Sequence, residues 1–289
     1  MNLVVTHTQP LDASPAAVWS ALTDAEALRR WFAEEAEVDA RVGGPYRFWG
    51  RHTLGTPAAA EATQRITAIV PGERLAFTWM LHGRATNVDL VIASTEKGTS
   101  LKVTHTVDGE LPVSRAREYL DDHWRFQCGN LTAHLAGGAG IVRPDFADPA
   151  PEVRMSIEIA ASRAVVWTTL LDPARVAEWF GAPKVRITPE TGGEYRVGWE
   201  YQIEGRDVLG GPTRILEIEP ERRLVLDWPD WRGDASVSGQ WIAFTLEGDG
   251  DRTTVHFVHG GFTRTVDISD YPFGWVWFTS ELKRVAERG

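Results

Sequence analysis

Along residues 3–9 the chain alternates: Leu3, Val5 and His7 share one side of an extended segment rich in β-branched residues, which predicts a strand. At Ser14-Pro15 the period changes. Serine is a good N-cap, and proline is pre-set for a first helical position. Val18, Trp19 and Leu22, then Leu28, Trp31 and Phe32, recur every three or four residues. That pattern predicts two short helices with one buried stripe, broken near Thr23-Asp24. The stretch returns between Ser162 and Phe180. There Ser14, Val18, Trp19, Leu22, Asp24, Trp31 and Phe32 meet identical residues 148 positions later, and Asp172-Pro173 marks the break.

Further matches follow in the same order. Gly43-Gly-Pro-Tyr-Arg-Phe-Trp-Gly is answered by Gly192-Gly-Glu-Tyr-Arg-Val-Gly-Trp, in each case a glycine turn leading into an alternating segment. In the second copy Tyr195, Val197, Trp199, Tyr201 and Ile203 fall on one face of a predicted strand. Residues 66–79 are answered by 215–228, a strand–turn–strand pattern with Leu75, Phe77 and Trp79, or Leu224, Leu226 and Trp228, facing one way. Two more strands are predicted in each half, at 87–94 with 99–107 and at 239–247 with 253–259. Each half closes on a helix. Leu120, Trp124, Cys128, Leu131 and Leu135 step by three and four over 115–135, and Tyr271, Trp275, Phe278, Leu282 and Val285 do so at the end of the chain.

Each half thus reads as a strand, two short helices, a run of about six antiparallel strands and a long helix. One sheet face requires cover and the last helix supplies it, which is an α+β domain. The expected organisation is a first domain at 1–138, a Gly/Pro-rich linker at 139–151 and a second domain at 152–289. Halves of that size bury enough surface for independent cores.

Composition narrows the function classes. The 289 residues carry a net charge of −10 with both signs interspersed, which disfavours nucleic acid and anionic membrane as partners. No apolar run is long enough to insert in a membrane. The N-terminus does not read as a signal peptide, and a cytoplasmic location is the simplest expectation. One cysteine, Cys128, rules out an intrachain disulfide and a multi-cysteine metal site. No nucleotide loop, nucleophile elbow or His-x-x-x-His pattern occurs, so neither a cofactor nor a catalytic residue is assigned.

The repeated pattern Ser-Pro-x-x-Val-Trp, Leu-x-x-Trp-Phe, Gly-Gly-x-Tyr-Arg, the Ile-x-x-Ile-x-Pro hairpin and the Trp-bearing last helix resemble the START superfamily, also called SRPBCC. The resemblance is strongest to the branch homologous to the activator of the heat-shock protein 90 ATPase. It covers nearly the whole chain, twice. It implies two tandem helix-grip domains, as in polyketide cyclases and Bet v-like proteins, each a curved antiparallel sheet around a long helix with an apolar cavity between them. It also implies carriage of hydrophobic ligands, cyclisation chemistry, or stimulation of a chaperone in the stress response, since one scaffold serves many roles.

The thirteen tryptophans serve a core or line a cavity. Candidate ligand-binding residues in the first half are Tyr46, Phe48, His52, Trp79 and Trp124, with His105 on the last strand. In the second they are Tyr195, Trp199, Tyr201, Trp228, Trp241 and Trp275, with His259 at the point comparable to His105. A strand histidine facing the helix could hydrogen-bond a ligand carbonyl or act as a general base. His123 reads as exposed, and Cys128 as a buried small hydrophobe. Asp227, Asp230, Trp231 and Asp234 beside Trp228 read as a solvated loop or, alternatively, as a pocket lid. The leading expectation is non-catalytic binding of a small hydrophobic or aromatic ligand. The alternatives are a cyclase- or hydrolase-like enzyme using a cavity histidine, and a module acting on a protein partner such as a chaperone.

Overall fold

The computed structural model of the chain describes residues 2–203 and 205–289. It divides into two units: 1–149 with 264–270, and 150–263 with 271–289.

The first unit opens with strand β1 (Leu3–Leu11), followed by helices α1 (Pro15–Thr23) and α2 (Ala25–Trp31). The break between the helices is made by Asp24, which ends α1 in an extended conformation and caps α2 by accepting from Ala27 N at 2.8 Å. A two-stranded ribbon, β2 (Glu35–Val38) with β3 (Tyr46–Trp49), precedes β4 (Ile66–Val70), β5 (Arg74–Leu81), β6 (Arg84–Thr95) and β7 (Gly98–Val107). These form a five-stranded sheet in the order β1-β7-β6-β5-β4, wholly antiparallel in its pairings. Helix α3 (Ala116–Leu135) lays Leu120, Trp124, Cys128 and Leu131 into the cluster that also holds Leu75, Phe77, Trp79, Val88, Leu90 and Val103. Cys128 is buried, and burial pushes its thiol up to about 12, so it acts as a small hydrophobe.

The second unit repeats the plan. Strand β8 (Val153–Ile159) leads to α4 (Arg163–Leu171) and α5 (Pro173–Trp179), which Asp172 separates as Asp24 does. Short β9 (Arg186–Ile187) pairs with β10 (Tyr195–Arg196), and a separate hairpin joins β11 (Trp199–Ile203) to β12 (Arg206–Gly210). The main sheet runs β13-β14-β15-β16-β8, with β13 at Ile215–Glu219, β14 at Arg223–Asp227, β15 at Trp241–Glu247 and β16 at Thr253–Gly260. Helix α6 (Tyr271–Glu287) supplies Trp275, Leu282 and Val285 to the buried set.

Paired tryptophans and tyrosines fix the helices in both copies. Trp31 Nε1 donates to the carbonyl of Ala21 at 3.0 Å and Trp179 Nε1 to that of Thr169 at 3.1 Å. The hydroxyls of Tyr46 and Tyr195 donate to Leu22 and Leu170 carbonyls, each at 2.8 Å. Each ring therefore fills the core and also satisfies a helix-end carbonyl, one of the groups a helix terminus leaves unpaired.

The structure corrects several expected boundaries. The first-half strand ends at Trp49, so the candidate His52 lies in a turn beyond it, whereas Tyr201 stands on β11. The strand expected to run from Tyr195 past Tyr201 is interrupted at Val197-Gly198, where Gly198 takes a φ of 73°. The linker is also less free than its composition implied. Asn130 holds Val142 through both its side-chain groups, Phe146 N donates to the carbonyl of Arg51, and Ile141 and Phe146 pack on the core of the first unit.

Candidate functional site

In each unit the last strand of the main sheet carries a fully buried histidine beneath the long helix, and the helix answers with a tryptophan. Trp124 Nε1 donates to His105 Nδ1 at 3.1 Å, and Trp275 Nε1 donates to His259 Nδ1 at 3.0 Å. An indole N–H is only a donor, so Nδ1 must be the acceptor in both rings, which leaves the proton on Nε2. Burial pushes both imidazoles down to about 3, so each is neutral at physiological pH and its tautomer follows from the indole contact.

Beyond that shared pair the units diverge. His105 Nε2 donates to Thr86 Oγ1 at 2.8 Å, and Thr86 Oγ1 donates onward to the carbonyl of Trp79 at 2.9 Å. Each link from Trp124 Nε1 through His105 and Thr86 to the Trp79 carbonyl is made. In the second unit His259 Nε2 has no hydrogen-bond partner among the described residues. The residue in Thr86's place is Gln240: Val88 pairs with His105 and Ile242 with His259, and Thr86 and Gln240 each stand two residues before. Gln240 is 7% exposed, and its Oε1 also lacks a partner.

The surroundings of His259 are aromatic on several sides. Ring centroids of Tyr271 and Phe262 lie 4.5 and 4.6 Å away, with Trp228 at 5.5 Å and Trp275 at 5.8 Å. Trp228 Nε1 donates to Tyr271 Oη at 3.2 Å. Trp199 closes the same side, 5.5 Å from Phe278 and 6.4 Å from Trp228. Tyr195 is buried under α4 and reads as part of the core. Two other expected wall residues are placed elsewhere. Tyr201 is 42% exposed with its ring against Gly210 on the β11–β12 hairpin. Trp241 pairs with Gly260, one residue out of phase with the Ile242–His259 pair, so it stands on the opposite face of the sheet.

In the first unit Phe48, Trp79, His105 and Trp124 come together: Trp79 stacks on His105 at 5.6 Å and meets Phe48 at 4.9 Å. Tyr46 lies 5.9 Å from Phe48. His52 is outside this group and bonds the carbonyl of Pro144 through Nδ1 at 2.7 Å. The cavity under α3, lined by Phe32, Tyr46, Phe77, Trp124 and Gln127 among others, is about 10 Å³, no more than room for one water. The first grip is filled by its own side chains.

Sequence reasoning missed His123. It was expected on the exposed side of α3, yet it is 1% exposed and both ring nitrogens lack partners among the described residues. Trp79, Trp124 and Phe32 surround it, with Phe146 at 6.0 Å on the side that helical periodicity leaves to solvent. Trp79 Nε1 is unpartnered as well. Burial, with a smaller contribution from His105, brings His123 down to about 3. The acidic loop is organised by its own backbone: Asp230, buried, accepts from Arg232 N and Asp234 N, and Asp227 accepts from Thr213 N and Arg214 N.

Comparison with known proteins places these features in context. The family described as activator of Hsp90 ATPase homolog 1-like protein matches residues 12–136 and 160–287. Among solved structures, DynU16 from the dynemicin biosynthetic locus is similar at 19% identity, covering 99% of this chain and 98% of its own, with a TM-score of 0.42. The AHSA1-like protein of Rhizobium etli is 29% identical over 48% of this chain and 84% of its own, at a TM-score of 0.38. The Aha1 dimer of Colwellia psychrerythraea is 19% identical over 47% of this chain and 97% of its own, at 0.37. A search of curated proteins finds no match.

Proposed function

The chain belongs to the family of activator of Hsp90 ATPase homolog 1-like proteins, and from that premise we propose that it binds a small aromatic or otherwise apolar ligand between a sheet and its long helix, without transforming it. The observation that supports this reading is the pair of buried polar atoms left without partners beside aromatic rings in the second unit, His259 Nε2 and Gln240 Oε1. Buried polar groups are normally paired, and each orphan costs about 1–3 kcal/mol. A core serving stability alone would replace them with apolar groups. Rings that bury a ligand's apolar body, with a few polar atoms to orient it, are the usual make-up of a small-molecule site.

Catalysis is the weaker reading. A general base works best with a pKa near the operating pH, and the three buried histidines lie several units below it. They suit neutral hydrogen bonding. A protein partner is a second reading, supported by Val276 and Trp277 on α6, which are 55% and 52% exposed.

Titration of the full chain with flat aromatic and long-chain apolar compounds, followed by tryptophan fluorescence, tests the proposal. Saturable quenching is expected, because Trp228 and Trp275 adjoin the orphan atoms. Absence of any response, with calorimetry also silent, would remove the ligand reading and leave the α6 surface as the one to pursue.

A further inference from the structure

We propose that the second unit contains a subsite for a hydroxyaromatic ligand, in which one phenolic or enolic oxygen accepts a hydrogen bond from His259 Nε2–H and donates its own proton to Gln240 Oε1. The inference rests on the ligand-binding reading above and deepens it, because it names a unit, two atoms and a ligand class.

The first unit serves as an internal control. There the same nitrogen, on a histidine in the same register and held by the same indole, is occupied by Thr86 Oγ1 at 2.8 Å. A threonine hydroxyl accepts one hydrogen bond and donates another, and Thr86 does both, passing its proton to the carbonyl of Trp79. The second unit has no threonine at that position. Gln240 stands in its place with a longer side chain, two residues before the Ile242 that pairs with His259, and its Oε1 is unpartnered like the histidine's Nε2. Where the first unit has one hydroxyl that accepts and donates, the second therefore has an unpaired donor and an unpaired acceptor. The indole of Trp275 prevents the ring from turning its proton elsewhere without breaking the 3.0 Å bond to Nδ1.

The donor–acceptor pair discriminates between chemical classes. A phenol or enol oxygen satisfies both atoms, as Thr86 does in the first unit. A ketone or ether accepts from His259 and leaves Gln240 Oε1 unpaired. A carboxylate would place a charge beside an acceptor in a neutral, buried setting, which is strongly unfavourable. The flat remainder of the ligand is accounted for by the rings of Trp228, Tyr271 and Phe262, all within 5.5 Å of the imidazole centroid.

The test is calorimetric titration of the full chain with 2-naphthol, its methyl ether and naphthalene, compounds with matched ring systems that carry both functions, the acceptor alone and neither. Binding should weaken in that order, with the naphthol roughly tenfold tighter than the ether. Gln240→Thr should let the protein cap His259 itself, raise the melting temperature and remove the preference for the naphthol over its ether. In His259→Phe, checked for folding by circular dichroism, the same preference should vanish. Equal affinities for the three compounds in the wild type would overturn the subsite and leave the ligand-binding reading standing. No binding of any of them would overturn both. A naphthol preference that survives Gln240→Thr would overturn the part assigned to Gln240.

Discussion

Single residues in this molecule divide into those that hold the fold and those that strain it. Trp31 and Trp179 belong to the first kind, since each fills a buried volume and caps a helix carbonyl. Trp31→Ala and Trp179→Ala should each lower stability by about 3–5 kcal/mol in denaturant unfolding, as large-to-small changes in cores do. His123 belongs to the second kind. Both its nitrogens are buried and unpaired, so His123→Leu should raise stability at pH 7 by about 1 kcal/mol or more. The buried histidines also give stability a pH dependence of definite sign. Their folded pKa values, about 3, lie below the ordinary value of 6.5, so the unfolded chain binds more protons between those limits. Their contribution is complete above pH 6.5 and is lost as pH falls toward 3, with a slope of about 1.4 kcal/mol per pH unit for each histidine. Melting curves from pH 7 to pH 4 should show this fall, and His123→Leu should flatten it by one histidine's share.

At the scale of elements, the hydrophobic period exposed nearly all of the helices and strands, and it failed where a residue's cover comes from far along the chain. Ser14 and Asp24, with their counterparts Ser162 and Asp172, cap the short helices that the sequence pattern predicts. The di-glycine turns were equally legible, and the structure supplies their reason. A Cβ on Gly44 would sit 2.2 Å from the carbonyl oxygen of Asp39, and one on Gly193 equally close to that of Thr188. Gly44→Ala and Gly193→Ala should therefore each cost several kcal/mol, read as a drop in melting temperature, because backbone must move to admit a methyl group. The candidate site was legible in part. Equal spacing brought out His105 and His259, and the partnership with Trp124 and Trp275 could have been sought from the same register. The difference between Thr86 and Gln240 was not visible until strand pairing aligned them. His123 was missed because α3 is treated by periodicity as one-sided. Its other side is covered by Phe146 from a segment that composition presents as a linker, and by the turn at Thr265–Ile268.

On the scale of the whole molecule, that turn is the informative piece. Residues 264–270 lie between β16 and α6 in sequence, yet they belong to the first unit, where Val266 enters the hydrophobic cluster. Asp267 is buried there between Arg115 at 2.8 Å and Arg264 at 2.5 Å. Asp267→Ala leaves two guanidinium groups without their shared carboxylate and should destabilise the first unit by roughly 3 kcal/mol in chemical unfolding. A fragment of residues 1–149 should be less stable than the same residues in the full chain, and a peptide spanning 262–271 should restore part of the difference. Equal stability with and without the peptide would show that the turn is only an ornament of the surface. The arrangement also dictates an order of events at the ribosome. A nascent chain grows at about 5–20 residues per second, and N-terminal domains generally fold first. Here the first unit can collapse early but reaches its finished form only once residue 270 has emerged, so the half made first waits for a segment made after most of the second.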